Sequence, residues 1–197
     1  MTCHPAMDFL HIPTPARWSL QLESHLDKIL LDHTHWEKES ARMCLNLLLA
    51  YCDNEELSKA MTAMINDKLN RFQINRELLK TLGIKFQRIQ PTGYDRRLKE
   101  LIINKEPQRV VDRLLVTALI DARSNERFSV IANSCEDAKV AKHYKTLANK
   151  DRENYATYID LASGYMDEGH VFERLDELAN YEATLISDGG GKPRLHS

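Results

Sequence analysis

"EELSKAMTAMINDKLNRFQINRELLKTL", residues 55–82, is the stretch on which the fold turns. Alternating steps of four and three from Leu57 pick out Leu57, Met61, Met64, Lys68, Arg71, Asn75, Leu78 and Leu82. That spacing is the a/d seam of a helix packed in a bundle. The seam is apolar at its ends, but Lys68 and Arg71 interrupt its middle. Residues three apart on a helix share a face. The pattern therefore predicts a lysine and an arginine directed at the buried side.

A second stretch repeats the design. The same steps from Val140 give Val140, Tyr144, Leu147, Asp151, Asn154, Tyr158, Leu161 and Tyr165, again apolar except near the middle. Each seam thus carries a polar pair at i, i+3: Lys68 with Arg71, and Asp151 with Asn154. Between and before them run two further helical stretches, each with one carboxylate on its apolar stripe. Glu37 lies on the stripe of Leu30, Ala41, Cys44 and Leu48, and Glu126 on that of Leu119, Ala122 and Val130.

Periodicity and punctuation place the helices at about 19–51, 55–82, 108–133, 137–166 and 172–186, with a short helix ending near Ile103. Gly83 is placed to cap the second helix. Residues 84–95 form a longer connection, and no stretch shows a strand or hairpin pattern. Short loops within each pair of long helices and a long link between pairs predict an all-α, ferritin-like four-helix bundle with one crossover. The expected organisation is an N-terminal extended segment (1–18), a helical bundle (19–187) and a C-terminal tail (188–197).

The bulk numbers fit one domain: 197 residues, 28% charged, 43% hydrophobic, formal net charge -2. That balance excludes a uniformly basic protein but leaves room for a local basic patch. The longest nearly apolar run, "MCLNLLLAYC" (43–52), falls far short of the roughly 20 residues a membrane span needs. The N-terminal residues lack a signal-peptide pattern. The four cysteines show no C-x-x-C spacing and read as reduced thiols of a cytoplasmic protein.

A polar layer halfway along a bundle is expensive, because an unpaired buried charge costs several kcal/mol. Ferritin-like di-iron proteins use such a layer, with one Glu from each of two helices and Glu-x-x-His from each of the others. Here the lone glutamates remain, while the pairs read Lys68-x-x-Arg71 and Asp151-x-x-Asn154.

The chain resembles the MiaE family of tRNA hydroxylases along most of its length. The matching stretches are "PTPARW" (13–18), "LDHTHWEKESA" (31–41), "LIDARSNERF" (119–128), "LANKDRENY" (147–155) and "KPRLHS" (192–197). The resemblance implies a di-iron centre that hydroxylates the isopentenyl group of a modified adenosine in tRNA. It also implies metal-site positions at Glu37, Lys68, Arg71, Glu126, Asp151 and Asn154. The family's second and fourth helices supply Glu and His where this chain has Lys68 and Arg71, and Asp151 and Asn154. An arginine cannot lose its proton to become a ligand, and a lysine beside carboxylates stays charged. The expectation is therefore a salt-bridge cluster of Lys68 and Arg71 with Glu37, Glu126 and Asp151 in place of stoichiometric metal. The alternative is a tRNA monooxygenase with an altered metal site.

Other groups allow further chemistry. His33 with Glu37, and His35 with Glu39, share faces at i, i+4, and His33 with Glu37 would suit a one-metal site. Lys85, Arg88, Arg96, Arg97 and Lys99, with Lys192 and Arg194, form a candidate phosphate grip for tRNA. A solvated helix face would account for them equally, and a bundle without metal would have tRNA or a protein as its partner. The tyrosines of the fourth helix read as core and rim.

Overall fold

In the computed structural model, which describes residues 9–90, 92–150 and 152–197, every regular element is a helix. In chain order they are α1 (Ala16–Ser24), α2 (Leu26–Ala50), α3 (Glu55–Thr81), α4 (Tyr94–Lys99), α5 (Gln108–Ser134), α6 (Ala138–Lys150), α7 (Arg152–Ser163) and α8 (Glu168–Asp188). α2 packs along α3, and α5 packs along α6 and α7, which flank residue 151. The segment from Leu82 to α5 carries the chain between these pairs, and α8 closes over α5. Among the described residues no helix is long and apolar enough to cross a membrane.

Local chemistry sets the ends of α3. Asn54 caps its start by accepting from the Leu57 N–H at 2.9 Å, with Glu55 and Glu56 in the first turn. At its end Gly83 takes φ of 70°, which an L side chain rarely adopts. There the Ile84 N–H reaches Leu79 O (2.8 Å) and the Gly83 N–H reaches Lys80 O (3.1 Å), the paired bonds of a Schellman motif. The buried face of α3 is Leu57, Met61, Met64, Lys68, Arg71, Asn75 and Leu79. The seam therefore ends on Leu79 where a strict seven-residue repeat points to Leu78. At 3.6 residues per turn, Leu79 lies about 40° from the direction of Leu57 and Leu78 about 60° away on the other side.

The expected first helix is divided. It starts earlier, at Ala16, and breaks at His25 (φ -145°, ψ 40°). No glycine or proline marks the break. The turn lets Trp18 and Leu22 of α1 bury beside Ile29, Leu30 and Leu31 of α2. The last residues, read as a tail, return to the bundle: Leu195 is fully buried, and Arg194, His196 and Ser197 are nearly so. Trp18 Nε1 donates to Arg194 O at 2.9 Å, and the Leu195 N–H donates to Asp32 Oδ2 at 2.8 Å. Arg127 donates to Leu195 O and, at 2.9 Å, to Ser197 O.

Two apolar clusters make the core. One holds Met43, Leu47, Leu57, Met61, Met64, Tyr155 and Tyr158; the other holds Trp18, Ile29, Leu31, Leu79, Phe128, Tyr144 and Leu147. Along α2, α3 and α5 the residues that separate these clusters are polar and buried: His33, Glu37 and Ser40; Lys68, Arg71 and Asn75; Asp121, Ser124 and Asn125. The polar layer predicted from the seams is a layer in space.

Candidate functional site

Lys68 and Arg71 face inward, 4% and 3% exposed. Lys68 Nζ donates to Asp121 Oδ2 at 2.8 Å, and Ser40 Oγ reaches the other Asp121 oxygen at 3.4 Å. One turn away, Arg71 Nη2 pairs with Asp67 at 2.6 Å, and Asp67 also meets Lys150 at 2.6 Å. These contacts join α3 to α2, α5 and α6 at the level of the layer.

On α2, Glu37 Oε1 lies 2.9 Å from His33 Nε2, and the other ring nitrogen of His33 is 2.6 Å from the Tyr144 hydroxyl. Asn75 extends the chain of contacts, 3.4 Å from His33 Nδ1 and 2.7 Å from His143 Nε2. Burial raises the Glu37 carboxyl, but the His33 hydrogen bond and the charges of His33, Lys68 and Arg71 outweigh it and hold Glu37 below its ordinary value. Burial pushes the neighbouring Cys44 thiol up to about 11, and its sulfur lies 3.2 Å from the Tyr158 hydroxyl. Cys44 is therefore a protonated core residue, not a nucleophile.

The structure corrects one member of the expected cluster. Glu126 does not face Lys68: it accepts from the Thr14 N–H (2.6 Å) and hydroxyl (2.7 Å) and pairs with Arg123 at 2.5 Å. The carboxylate that α5 brings to the layer is Asp121. The two are five residues apart, about 140° around a helix. Periodicity alone cannot choose between them, because α5 is buried on almost every side from Val110 to Phe128. The available signal was an aspartate in the apolar run "ALIDA", since Asp is almost never fully buried unless paired. Asp151 lies outside the described residues, and Asn154 is half-buried.

Arg123 centres a second buried network missed in the sequence. Its guanidinium grips Glu182 with two bonds of 2.9 Å, and the Tyr94 hydroxyl donates to the same carboxylate at 2.8 Å. This network ties α4, α5 and α8 together with the N-terminal segment, through Ile12 O at 3.0 Å.

The remaining candidates separate. His35 is tied to the crossover by Gln87 O at 2.7 Å and stacks on Phe86, while Glu39 pairs with Arg42 at 2.8 Å, so His35 and Glu39 do not converge. Among the described residues no three His, Cys, Asp or Glu side chains are grouped to hold a metal ion. Arg96 and Lys99 line one cleft, whereas Lys85 lines a separate hollow with Arg76 and Lys80. Arg88 and Lys192 are exposed and Arg97 half-exposed. Arg194 is withdrawn from any phosphate grip, being buried against Asp32 at 3.3 Å. Tyr144, Tyr155 and Tyr158 are core residues and Tyr165 sits at the rim, as expected.

Comparison with known proteins places this geometry in context. The family described as tRNA-(MS[2]IO[6]A)-hydroxylase (MiaE) matches residues 1–197. A tRNA 2-(methylsulfanyl)-N(6)-isopentenyladenosine(37) hydroxylase of Pseudomonas putida is 28% identical over 198 residues, covering 100% of this chain and 96% of the relative. The enzyme of the same description from Salmonella typhimurium is 24% identical over 242 residues, covering 98% and 89%. Among solved structures, a Synechococcus protein described as having aldehyde deformylating oxygenase activity superposes with a TM-score of 0.91 at 28% identity, covering 96% of each chain.

Proposed function

The chain belongs to the MiaE family of tRNA hydroxylases, and from that premise we propose that it is a tRNA-binding member whose di-iron position is held by ion pairs. The observation that carries this reading is the Lys68–Asp121 pair, 2.8 Å long and closed off from solvent, with Arg71 one turn along the same face. Two irons need hard carboxylate oxygens and neutral imidazoles converging on them. The layer instead presents an ammonium and a guanidinium to its carboxylates. Each cation supplies positive charge and hydrogen-bond donors at a place where a metal would supply charge alone. The residues present therefore do not fit a di-iron centre, and no oxygen chemistry is assigned to them.

What remains is a rigid bundle whose centre is neutralised internally and whose outer surface is free to recognise the family's substrate class. Whole-chain similarity to tRNA hydroxylases supports tRNA as that class.

Elemental analysis for iron, manganese and zinc on protein expressed with added iron, together with an absorption spectrum, tests this reading. The expected result is no stoichiometric metal. Two irons per chain with an oxo-bridge band would overturn it and restore the hydroxylase reading. The converse experiment combines Lys68→Glu, Arg71→His, Asp151→Glu and Asn154→His. A folded quadruple variant is expected to take up iron, joined by Glu37 and Asp121. A folded variant that takes up none would refute the assignment of these positions.

A further inference from the structure

On the face where α2 meets α4, away from the bundle centre, two cavities adjoin. One, of about 240 Å³, is walled by Trp36, Tyr94, His35 and His196. The other, of about 340 Å³, carries Arg42, Arg96, Lys99 and Arg113 against the single carboxylate of Asp95. Arg42 and Asp95 belong to both walls, so one ligand reaches both spaces.

The first cavity suits a flat, neutral heterocycle. Tyr94 and His196 stack on each other at 4.9 Å with ring planes 2° apart, and Trp36 stands edge-on to His196 at 4.7 Å. This makes a rigid aromatic wall. Of the charged groups around it, Glu39 pairs with Arg42 and Asp32 with Arg194, and Lys38 adds a positive charge to the lining. The Trp36 indole N–H is buried and has no acceptor among the described residues.

The second cavity suits an anion. Arg113 stacks on Tyr51 at 5.3 Å and meets no carboxylate among the described residues. The Arg96 side chain is 78% exposed and only 3.8 Å from Glu100 at its nearest, so it is free to turn toward a ligand. Lys99 is balanced by Asp95 at 2.8 Å. Arg96 and Arg113 are left as donors for an anion, and Arg42, which meets Glu39 through Nε, adds its terminal N–H groups.

We propose that this face binds one unpaired nucleotide of an RNA strand, its base in the aromatic cavity and its phosphate in the arginine cleft. The proposal rests on the RNA-binding part of the reading above and adds a location to it. Arginine forks match phosphate oxygens, and an aromatic slot beside them is how single-stranded nucleic acid is held.

Fluorescence anisotropy of labelled hexa-adenylate with the full chain, repeated across a salt series, tests it. Arg42→Ala with Arg96→Ala is expected to weaken binding about tenfold and to flatten the salt dependence by about 1.4, two contacts at about 0.7 each. Trp36→Ala is expected to weaken binding roughly tenfold with the salt slope unchanged. Lys139→Ala with Lys145→Ala, exposed on α6, is the control and should change nothing. No binding by the natural chain, equal affinity across all variants, or capture of a poly-glutamate peptide in preference to RNA would each overturn the proposal. Metal content of the same preparation is read separately. Two irons would sink the ion-pair reading and leave the groove standing, whereas unaltered affinities would do the reverse.

Discussion

Replacing Lys68 by Met removes the charge at the bundle centre while keeping the volume and the aliphatic stem. Lys68 Nζ and Asp121 Oδ2 are 2.8 Å apart, with side chains 4% and 2% exposed. At an effective dielectric of about 20, unit charges at that separation attract by about 6 kcal/mol. Much of this attraction offsets the cost of withdrawing both ions from water, so the intact pair contributes little net stability. The single substitution is different, because it leaves the Asp121 carboxylate buried without its ammonium. The expected loss is about 3 to 5 kcal/mol. In a chain of 197 residues that corresponds to a fall in Tm of about 6 to 20 °C. Lys68→Met with Asp121→Leu removes both charges and is expected to recover most of the loss. Thermal and urea unfolding followed by circular dichroism, on both single variants and the double, closes the cycle. A Lys68→Met protein within about 1 kcal/mol of the natural chain, or a double variant as unstable as the two singles summed, would refute the reasoning.

Two further outcomes follow from neighbouring features. Leu195 is fully buried, so Leu195→Ala should cost about 2 to 5 kcal/mol in urea unfolding, where a solvated tail would show no loss. Burial, then the nearby charge of His33, lowers the His143 imidazole from its ordinary 6.5 to about 4. The unfolded chain therefore takes up this proton first, and stability falls as pH drops from about 6.5 toward 4. His143→Gln, which keeps a hydrogen-bonding group beside Asn75, should flatten that part of the stability profile. An unchanged slope would show that His143 does not titrate this way.

Much of the fold was legible because helical bundles write themselves in local periodicity. The α3 seam, the Gly83 cap and the inward direction of Lys68 and Arg71 all depend on residues within a turn or two of one another. The polar layer was legible for the same reason, since its members interrupt otherwise apolar stripes. The partners in that layer were not. On α5, wrapped by neighbours on almost all sides, no face is distinguished by its polarity, and Glu126 could be mistaken for Asp121.

The sequence by itself determined the all-α class, the helix pairs, and that two cations, Lys68 and Arg71, lie in the core. Only the tertiary structure decided that Asp121 meets Lys68, that Arg123 binds Glu182, and that residues 194–197 fold back beneath Trp18 and Arg127. The physical reason is range. Periodicity records which face of a helix is buried, whereas an ion pair joining positions 53 or 59 residues apart depends on how the helices are rotated against one another. That rotation is set by packing across the whole bundle and leaves no mark in any single stretch of chain.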